Sequence, residues 1–276
     1  MICADPTHAP AVFDAAFAAL MQGDPAEKCR LTLALYADWQ AGRLSRDAGS
    51  TPPVAVPVPG RPAKPDLLPP QQVKSRSMGS PTGRAVMLHA IAHIEFNAIN
   101  LALDAVYRFR DLPADYCTGW LQVAAEEAEH YGLIVTHLNS LGYTYGDFPA
   151  HNGLWDMACK TADDVLARMA LVPRLFEARG LDVTPPIIAK FASVGDGEAV
   201  RILNIILRDE VGHVALGDRW FRHCCAERGL PAEATFLDLL KCYEAPRIKP
   251  PFNVEARLMA GFTAEEIERL GQLAVA

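Results

Sequence analysis

The sequence lacks several features that mark particular classes of protein. Its seven cysteines form no Cys-x-x-Cys pair and no regular framework, so we expect reduced thiols. It has no run of about eighteen uninterrupted apolar residues, and its N-terminal residues lack the charged region, apolar core and cleavage site of a signal peptide. These absences predict a soluble, cytoplasmic protein that is not exported and has no membrane partner.

Positive charge is in deficit. The 276 residues carry 26 Lys and Arg against 33 Asp and Glu, a formal net charge of −7. This balance does not favour a polyanion-binding surface, so nucleic acid is not an expected partner. Hydrophobic residues make up 50% of the chain, enough for a full core in one large domain or in a domain with a smaller appendage.

A short motif occurs twice in apolar, helix-compatible surroundings. Glu127-Ala-Glu-His130 is followed eighty-three residues later by Glu210-Val-Gly-His213. Residues i and i+3 lie on one face of an α-helix, so each Glu and His point into the same space. Paired Glu-x-x-His motifs with one further Glu from each of two other helices are typical of metal-binding helix bundles. Because chance also produces so short a motif, its context decides its weight.

Each motif has a glutamate upstream at nearly the same distance. Glu95 precedes Glu127 by 32 residues, and Glu177 precedes Glu210 by 33 residues. The spacing predicts two similar helical halves.

The first half has a clear hairpin pattern. Residues 84–110 contain no Gly or Pro and place Glu95 within an apolar stripe, and a second helix is predicted from Pro113 to about Leu141. The break at Asp111 lies sixteen residues from both Glu95 and Glu127. At about 1.5 Å per residue both arms are about 24 Å long, so an antiparallel hairpin brings the two carboxylates to one level.

The helical signals along the rest of the chain predict an all-α protein divided into four segments. These are an N-terminal helical extension (1–43), a proline-rich strap or linker (44–83), a four-helix bundle (84–228) and a C-terminal helical tail packed on the bundle (229–276). Residues 143–160 are too long and too broken for a tight turn, so we expect a crossover between two helical hairpins there.

Capping residues predict the ends of the later helices. Thr161 with Asp164 opens the third bundle helix, which Pro173 kinks and Gly180 closes. The fourth ends near Gly229. One or two helices follow in the tail, the last begun by a capping box at Thr263.

The two halves together form a candidate metal site of four carboxylates and two imidazoles. Such a buried set is strongly destabilising without cations, and two divalent metals offset its charge. Oxygen-rich ligation with one His per metal favours iron, with manganese as the alternative, over structural zinc. The competing interpretation is that these residues are surface Glu–His pairs on amphipathic helices.

Residues 84–228 resemble the ferritin-like di-iron carboxylate superfamily in the order Glu95, Glu127-x-x-His130, Glu177 and Glu210-x-x-His213. More closely, the chain is similar to a bacterial ferritin-like family, domain of unknown function 455. The stretches that carry this similarity are His89-Ala-Ile-Ala-His93-Ile-Glu95, Tyr145-Gly-Asp-Phe-Pro-Ala-His151-Asn-Gly-Leu-Trp155, Glu177-Ala-Arg-Gly-Leu-Asp182 and Asp209-Glu-Val-Gly-His213.

The resemblance implies a ferritin-like four-helix bundle and a role for each ligand. Glu127 and Glu210 bridge the metals, Glu95 and Glu177 are terminal ligands, and His130 and His213 bind one metal each. It further implies an O2-dependent oxidoreductase or hydroxylase acting on a small-molecule substrate, served by an electron-donor protein. Two alternatives stay open: a ferroxidase, metal-handling or peroxide-scavenging protein without an organic substrate, and a metal-free helical interaction module.

Some histidines and cysteines have simpler interpretations. His89 and His93 lie about 240° and 200° around the helix from Glu95, so we interpret them as packing or hydrogen-bonding residues. Cys224-Cys225 is interpreted as a buried helical pair.

Overall fold

The computed structural model describes residues 9–46, 52–74 and 77–275, with side chains to residue 272. The regular secondary structure of these residues is all helical, as predicted, and they contain no β-strand. The ferritin-like four-helix bundle stays a prediction. In chain order the α-helices are α1 (Val12–Leu20), α2 (Pro25–Gln40), α3 (Pro81–Arg108), α4 (Ala114–Ser140), α5 (Gly153–Lys160), α6 (Val165–Leu171), α7 (Ala178–Ser193), α8 (Gly197–Glu227), α9 (Ala232–Cys242), α10 (Val254–Met259) and α11 (Ala264–Val275).

Two compact units make up the chain. The first contains residues 1–73 and 89–151, and the second contains residues 74–88 and 152–276. The division into four segments stays a prediction.

The N-terminal helices α1 and α2 belong to the first unit. The Asp24 side chain accepts a hydrogen bond from the Glu27 N–H at 2.8 Å and caps α2, whose first residue is a proline. Lys28, which is fully buried, donates to the carbonyl of Leu20 at the end of α1 and to Asn100 Oδ1 of α3, both at 2.6 Å. Lys28 therefore fixes three helices to one another.

The proline-rich segment is extended and binds the first unit through its backbone. The Leu68 N–H donates to the Ala150 carbonyl at 2.8 Å, and the Ala150 N–H donates to the Asp66 carbonyl at 3.0 Å. Val54 N–H donates to the Tyr107 hydroxyl at 2.8 Å. Because prolines hold this chain extended, its remaining N–H groups are free to make such contacts.

Helices α3 and α4 confirm the predicted hairpin boundaries to within a few residues. Pro113 is the N-cap of α4, and Gly142, with φ +83°, follows its C-terminal end. By length and composition α3 could cross a membrane, but 78% of its most apolar window is buried, as in a core helix.

The helix that carries Glu177 differs from the prediction. Asp164 alone is the N-cap of α6, where its side chain accepts a hydrogen bond from the Leu166 N–H at 3.0 Å. Thr161 is instead the C-cap of α5, a short helix that lies within the predicted crossover. The expected stop at Gly180 is also wrong, because α7 continues through it to Ser193. A glycine costs a helix interior only about 1 kcal/mol, which packing overrides.

Two prolines lie inside α7, and the structure compensates for one of the hydrogen bonds they remove. Pro185 has no N–H to donate to the Leu181 carbonyl four residues earlier. The Asn253 side chain donates to that carbonyl instead, at 3.2 Å. Tertiary contact therefore permits a helix that the sequence pattern alone would end.

The C-terminal part of the second unit confirms most of the predicted ends. Asp196 caps α8, which ends at Glu227 before Gly229 at φ +64°. The predicted capping box is confirmed: Thr263 N–H donates to Glu266 Oε2 at 2.9 Å, and Glu266 N–H donates to Thr263 Oγ1 at 3.1 Å. The expectation of one or two tail helices is wrong, since α9, α10 and α11 are all formed.

Candidate metal site

Three of the predicted ligands meet in the first unit. The Nδ1 atom of His130 lies 3.3 Å from Glu95 Oε2 and 3.3 Å from Glu127 Oε2. One potential ligand atom from each residue lies within 4.8 Å of the other two. Metal–ligand bonds of about 2.0–2.2 Å require ligand atoms at such separations, so this cluster can hold a metal ion.

The burial of this cluster is nearly complete. The exposed fraction is 3% for Glu95, 0% for Glu127 and 1% for His130. Surface Glu–His pairs, the competing interpretation, are therefore wrong for this half of the site. Two carboxylates without water around them need protons, hydrogen bonds or a cation to be tolerated.

The electrostatics of the cluster follow from that burial. Burial raises the pKa of Glu95, and the neighbouring carboxylate of Glu127 raises it further, while the hydrogen bond from His130 opposes the shift. Burial lowers the pKa of His130, but its hydrogen bonds and charge interactions with Glu127 and Glu95 outweigh that effect and raise the pKa well above its ordinary value. Glu95 and His130 therefore favour their protonated forms, and a divalent cation would replace those protons.

Three aromatic side chains of the first unit pack against one another. Phe96 and Tyr131, next in sequence to Glu95 and His130, have ring centroids 5.5 Å apart. Tyr145, from the segment after α4, lies 5.4 Å edge-to-face from Tyr131. These three rings pack on one another as an aromatic group within the first unit.

The two histidines upstream of Glu95 are hydrogen-bonding residues, as interpreted from the sequence. His93 Nε2 lies 3.0 Å from the His151 carbonyl, which can only accept, so the proton is on Nε2. Tyr145 OH, at 2.9 Å, then donates to His93 Nδ1. Asn97 Nδ2, also a donor, lies 3.1 Å from the same Nε2 atom and would favour the other tautomer. We assign the proton to Nε2 because the His151 carbonyl can only accept a hydrogen bond.

His89 binds the backbone of the same segment. Its Nε2 accepts the Gly146 N–H at 2.9 Å, and its ring stacks on Tyr145 with centroids 5.3 Å apart. Gly146 has φ +111°, and a Cβ there would come 3.0 Å from Lys64 Cβ, so this backbone approach requires glycine. Spacing could indicate that His89 lies away from Glu95, but it could not identify this partner.

The second Glu-x-x-His motif lies on α8 of the second unit. His213 is 1% exposed and Glu210 is 9% exposed, and His213 Nδ1 lies 3.9 Å from Glu210 Oε1. Glu177 is partly buried at the end of a π-helical segment, Val172–Glu177, between α6 and α7. That all six residues share one di-metal centre stays a prediction.

Sequence reasoning missed a buried ionic cluster in the second unit. Arg174, Asp218 and Glu266 are at most 4% exposed, and Arg174 Nε donates to Asp218 Oδ1 at 2.7 Å. Because its partners lie 44 residues apart, the cluster leaves no local pattern in the sequence.

Cys224 and Cys225 are buried free thiols, which confirms their interpretation as a buried helical pair.

The described residues thus define an all-helical protein with a buried Glu/His cluster that can hold a metal ion. Residues 21–268 match the model of the family described as protein of unknown function (DUF455), and the chain belongs to this family. An uncharacterised protein of Haemophilus influenzae is 47% identical over 260 residues, covering 91% of this chain and 90% of that protein. No solved structure matches the chain. The resemblance to this family is confirmed, and the wider di-iron superfamily stays a prediction.

Proposed function

We propose that the protein binds two metal ions and is an O2-dependent oxidoreductase. The convergence of buried Glu95, Glu127 and His130 carries the proposal, because a bound cation would offset the charge of two buried carboxylates and accept the imidazole as a ligand. The second motif, Glu210 and His213, together with Glu177, supplies the ligands of the second metal in this proposal.

The donor chemistry favours iron, with manganese as the alternative. Carboxylate oxygens with a single imidazole suit these metals, whereas a structural zinc site prefers cysteines or more histidines. When bound, the metals supply electrons to O2 and Lewis acidity.

The chain's own residues hold and shield that chemistry. Glu95 and Glu127 would neutralise the metal charge, His130 would contribute the nitrogen ligand, and the near-complete burial of all three would keep bulk water from the metal. The substrate in this proposal is a small organic molecule, and an external donor protein returns electrons.

Metal content tests the binding step directly. The protein is loaded with Fe(II) without oxygen, desalted and measured by elemental analysis, for which we expect about two metals per chain. Glu127→Ala should lose at least one of them. Glu129→Ala is the matched control, because Glu129 is exposed within the same motif and should leave the metal content unchanged. Less than one metal in the wild type, with Glu127→Ala the same, would contradict the proposal.

Oxygen consumption tests the reaction class. We expect the reduced, loaded protein to take up O2 and to couple this uptake to oxidation of an organic substrate. Steady turnover of Fe(II) or peroxide without such a substrate would support the ferroxidase or scavenger alternative instead. If Fe(II) and Mn(II) do not raise the melting temperature, the metal-free interaction module is the better interpretation.

A further inference from the structure

The helical run that carries Glu177 contains one π-helical segment. Residues Val172–Glu177 are π-helical, and α6 and α7 continue from either end. A π turn contains one residue more than an α turn, so it rotates every later side chain by about 100° relative to an uninterrupted α-helix. The direction of the Glu177 side chain therefore depends on what keeps this segment in the π form.

Contacts before Glu177 fix the segment to α8 and α11. Pro173 packs against Gly217, where a Cβ would come 2.3 Å from the proline Cβ. Arg174 is fully buried, with its Nε 2.7 Å from Asp218 Oδ1 and its Nη2 2.6 Å from Glu266 Oε1. A buried guanidinium that donates to one carboxylate and forms an ion pair with a second has little rotational freedom.

A second arginine completes this network. Arg222 Nε donates to Asp218 Oδ2 at 2.7 Å, and its Nη2 donates to Glu266 Oε2 at 2.9 Å. Two cations thus balance two buried anions, an arrangement that loses stability when any one member is removed. The Phe262 ring, 4.6 Å from the Arg174 guanidinium carbon, covers it from the same C-terminal segment.

Contacts after Glu177 come from that segment too. Arg257 Nη2 lies 3.3 Å from the carbonyl of Ala178, the residue that follows Glu177. The same arginine makes a two-point ion pair with Asp182, at 3.0 and 2.7 Å, and both side chains are fully buried. Asn253 N–H also donates to Asp182 Oδ1 at 3.0 Å. The C-terminal segment therefore binds the helix on both sides of Glu177.

We propose that residues 253–266, the C-terminal clamp, are the positioning element that keeps the π segment formed and so directs Glu177 toward a metal. This role rests on the proposed function, in which Glu177 is a ligand. The clamp touches no metal itself. It acts through Arg174 and through the Ala178 carbonyl, one on each side of the ligand.

Titration with cobalt(II) alone tests the clamp in the full chain. We expect the wild type to bind two cobalt ions, and Glu266→Gln to weaken one of them about 10-fold or more and to change its visible absorption. Glu265→Gln is the matched control, because Glu265 is the exposed neighbour on the same helix and should bind both ions as the wild type does.

A double-mutant cycle separates positioning from general destabilisation. If the clamp acts through Glu177, Glu266→Gln should have no further effect on cobalt affinity in a Glu177→Ala background. An equal loss of affinity in both backgrounds would refute the inference. Circular dichroism checks that each variant is folded. If Glu266→Gln is unfolded, the same cycle is measured with Arg174→Lys, which keeps the buried charge but loses the guanidinium that contacts both Asp218 and Glu266.

The outcomes distinguish this inference from the proposed function. A wild type that binds no cobalt contradicts the proposed function, and the clamp's role is then wrong as well. A wild type that binds two ions, with Glu266→Gln or Arg174→Lys folded and equal to it, contradicts the clamp alone.

Discussion

His89 should make the protein sensitive to acid, and His89→Gln should remove that sensitivity. The Nε2 atom of His89 accepts the Gly146 N–H at 2.9 Å, so protonating the ring places two donors face to face. Burial first, and the nearby His93 second, lower the pKa of His89 to about 4, against a smaller opposing effect of Asp147. Glutamine keeps an oxygen acceptor of similar reach but does not titrate.

The magnitude follows from the two pKa values. Because the folded pKa of about 4 lies below the ordinary value of 6.5, the unfolded chain binds this proton more tightly. The stability is therefore fully present above about pH 6.5 and is lost as the pH falls through about 4. At about 1.36 kcal/mol per pH unit the complete loss is about 3.4 kcal/mol, of which about 2 kcal/mol falls between about pH 7 and about pH 5.

Urea unfolding at these two pH values measures the effect. The wild type should lose about 2 kcal/mol more unfolding free energy than His89→Gln on acidification. His151→Gln makes the same chemical change at an exposed histidine of the same unit and should follow the wild type. Equal acid losses in the wild type and His89→Gln would refute the reasoning.

Two further predictions concern buried hydrogen bonds. Lys28→Met should lower the free energy of unfolding by about 3 kcal/mol, because Asn100 Oδ1 and two α1 carbonyls lose their buried donor. Chemical denaturation measures this free energy, and a loss below about 1 kcal/mol would contradict the prediction. Asn253→Ala should cost about 1–2 kcal/mol because the Leu181 carbonyl loses its donor and α10 loses its N-cap. Pro185→Ala restores an N–H to that carbonyl, so the cost of Asn253→Ala should be smaller in the Pro185→Ala background, and an unchanged cost would show that the bond contributes little.

The first half of the candidate site could be predicted from the sequence. Its ligands lie on two uninterrupted amphipathic helices joined by a short break, so counting residues fixes their relative height. The structure confirms this for Glu95, Glu127 and His130. Local periodicity was sufficient because nothing distorts either helix near the ligands.

The surroundings of Glu177 could not be predicted in the same way. Gly180 and Pro185 are ordinary helix-stop signals, so the sequence pattern predicts that the helix ends at Gly180. Contacts with Asn253 and Arg257, which lie 72 to 79 positions away in the chain, stabilise the helix beyond those signals. A π segment likewise has no sequence signature of its own, because packing rather than intrinsic propensity stabilises it.

The sequence by itself determined the helical class, most helix ends and the pairing of Glu95 with Glu127 and His130. These follow from capping chemistry and helical periodicity, which act over a few residues. Only the tertiary structure decided the partner of His89, the π segment and the contacts that residues 253–266 make on both sides of Glu177. Their partners lie at least 44 residues apart in the chain, and only the folded packing brings such groups into contact.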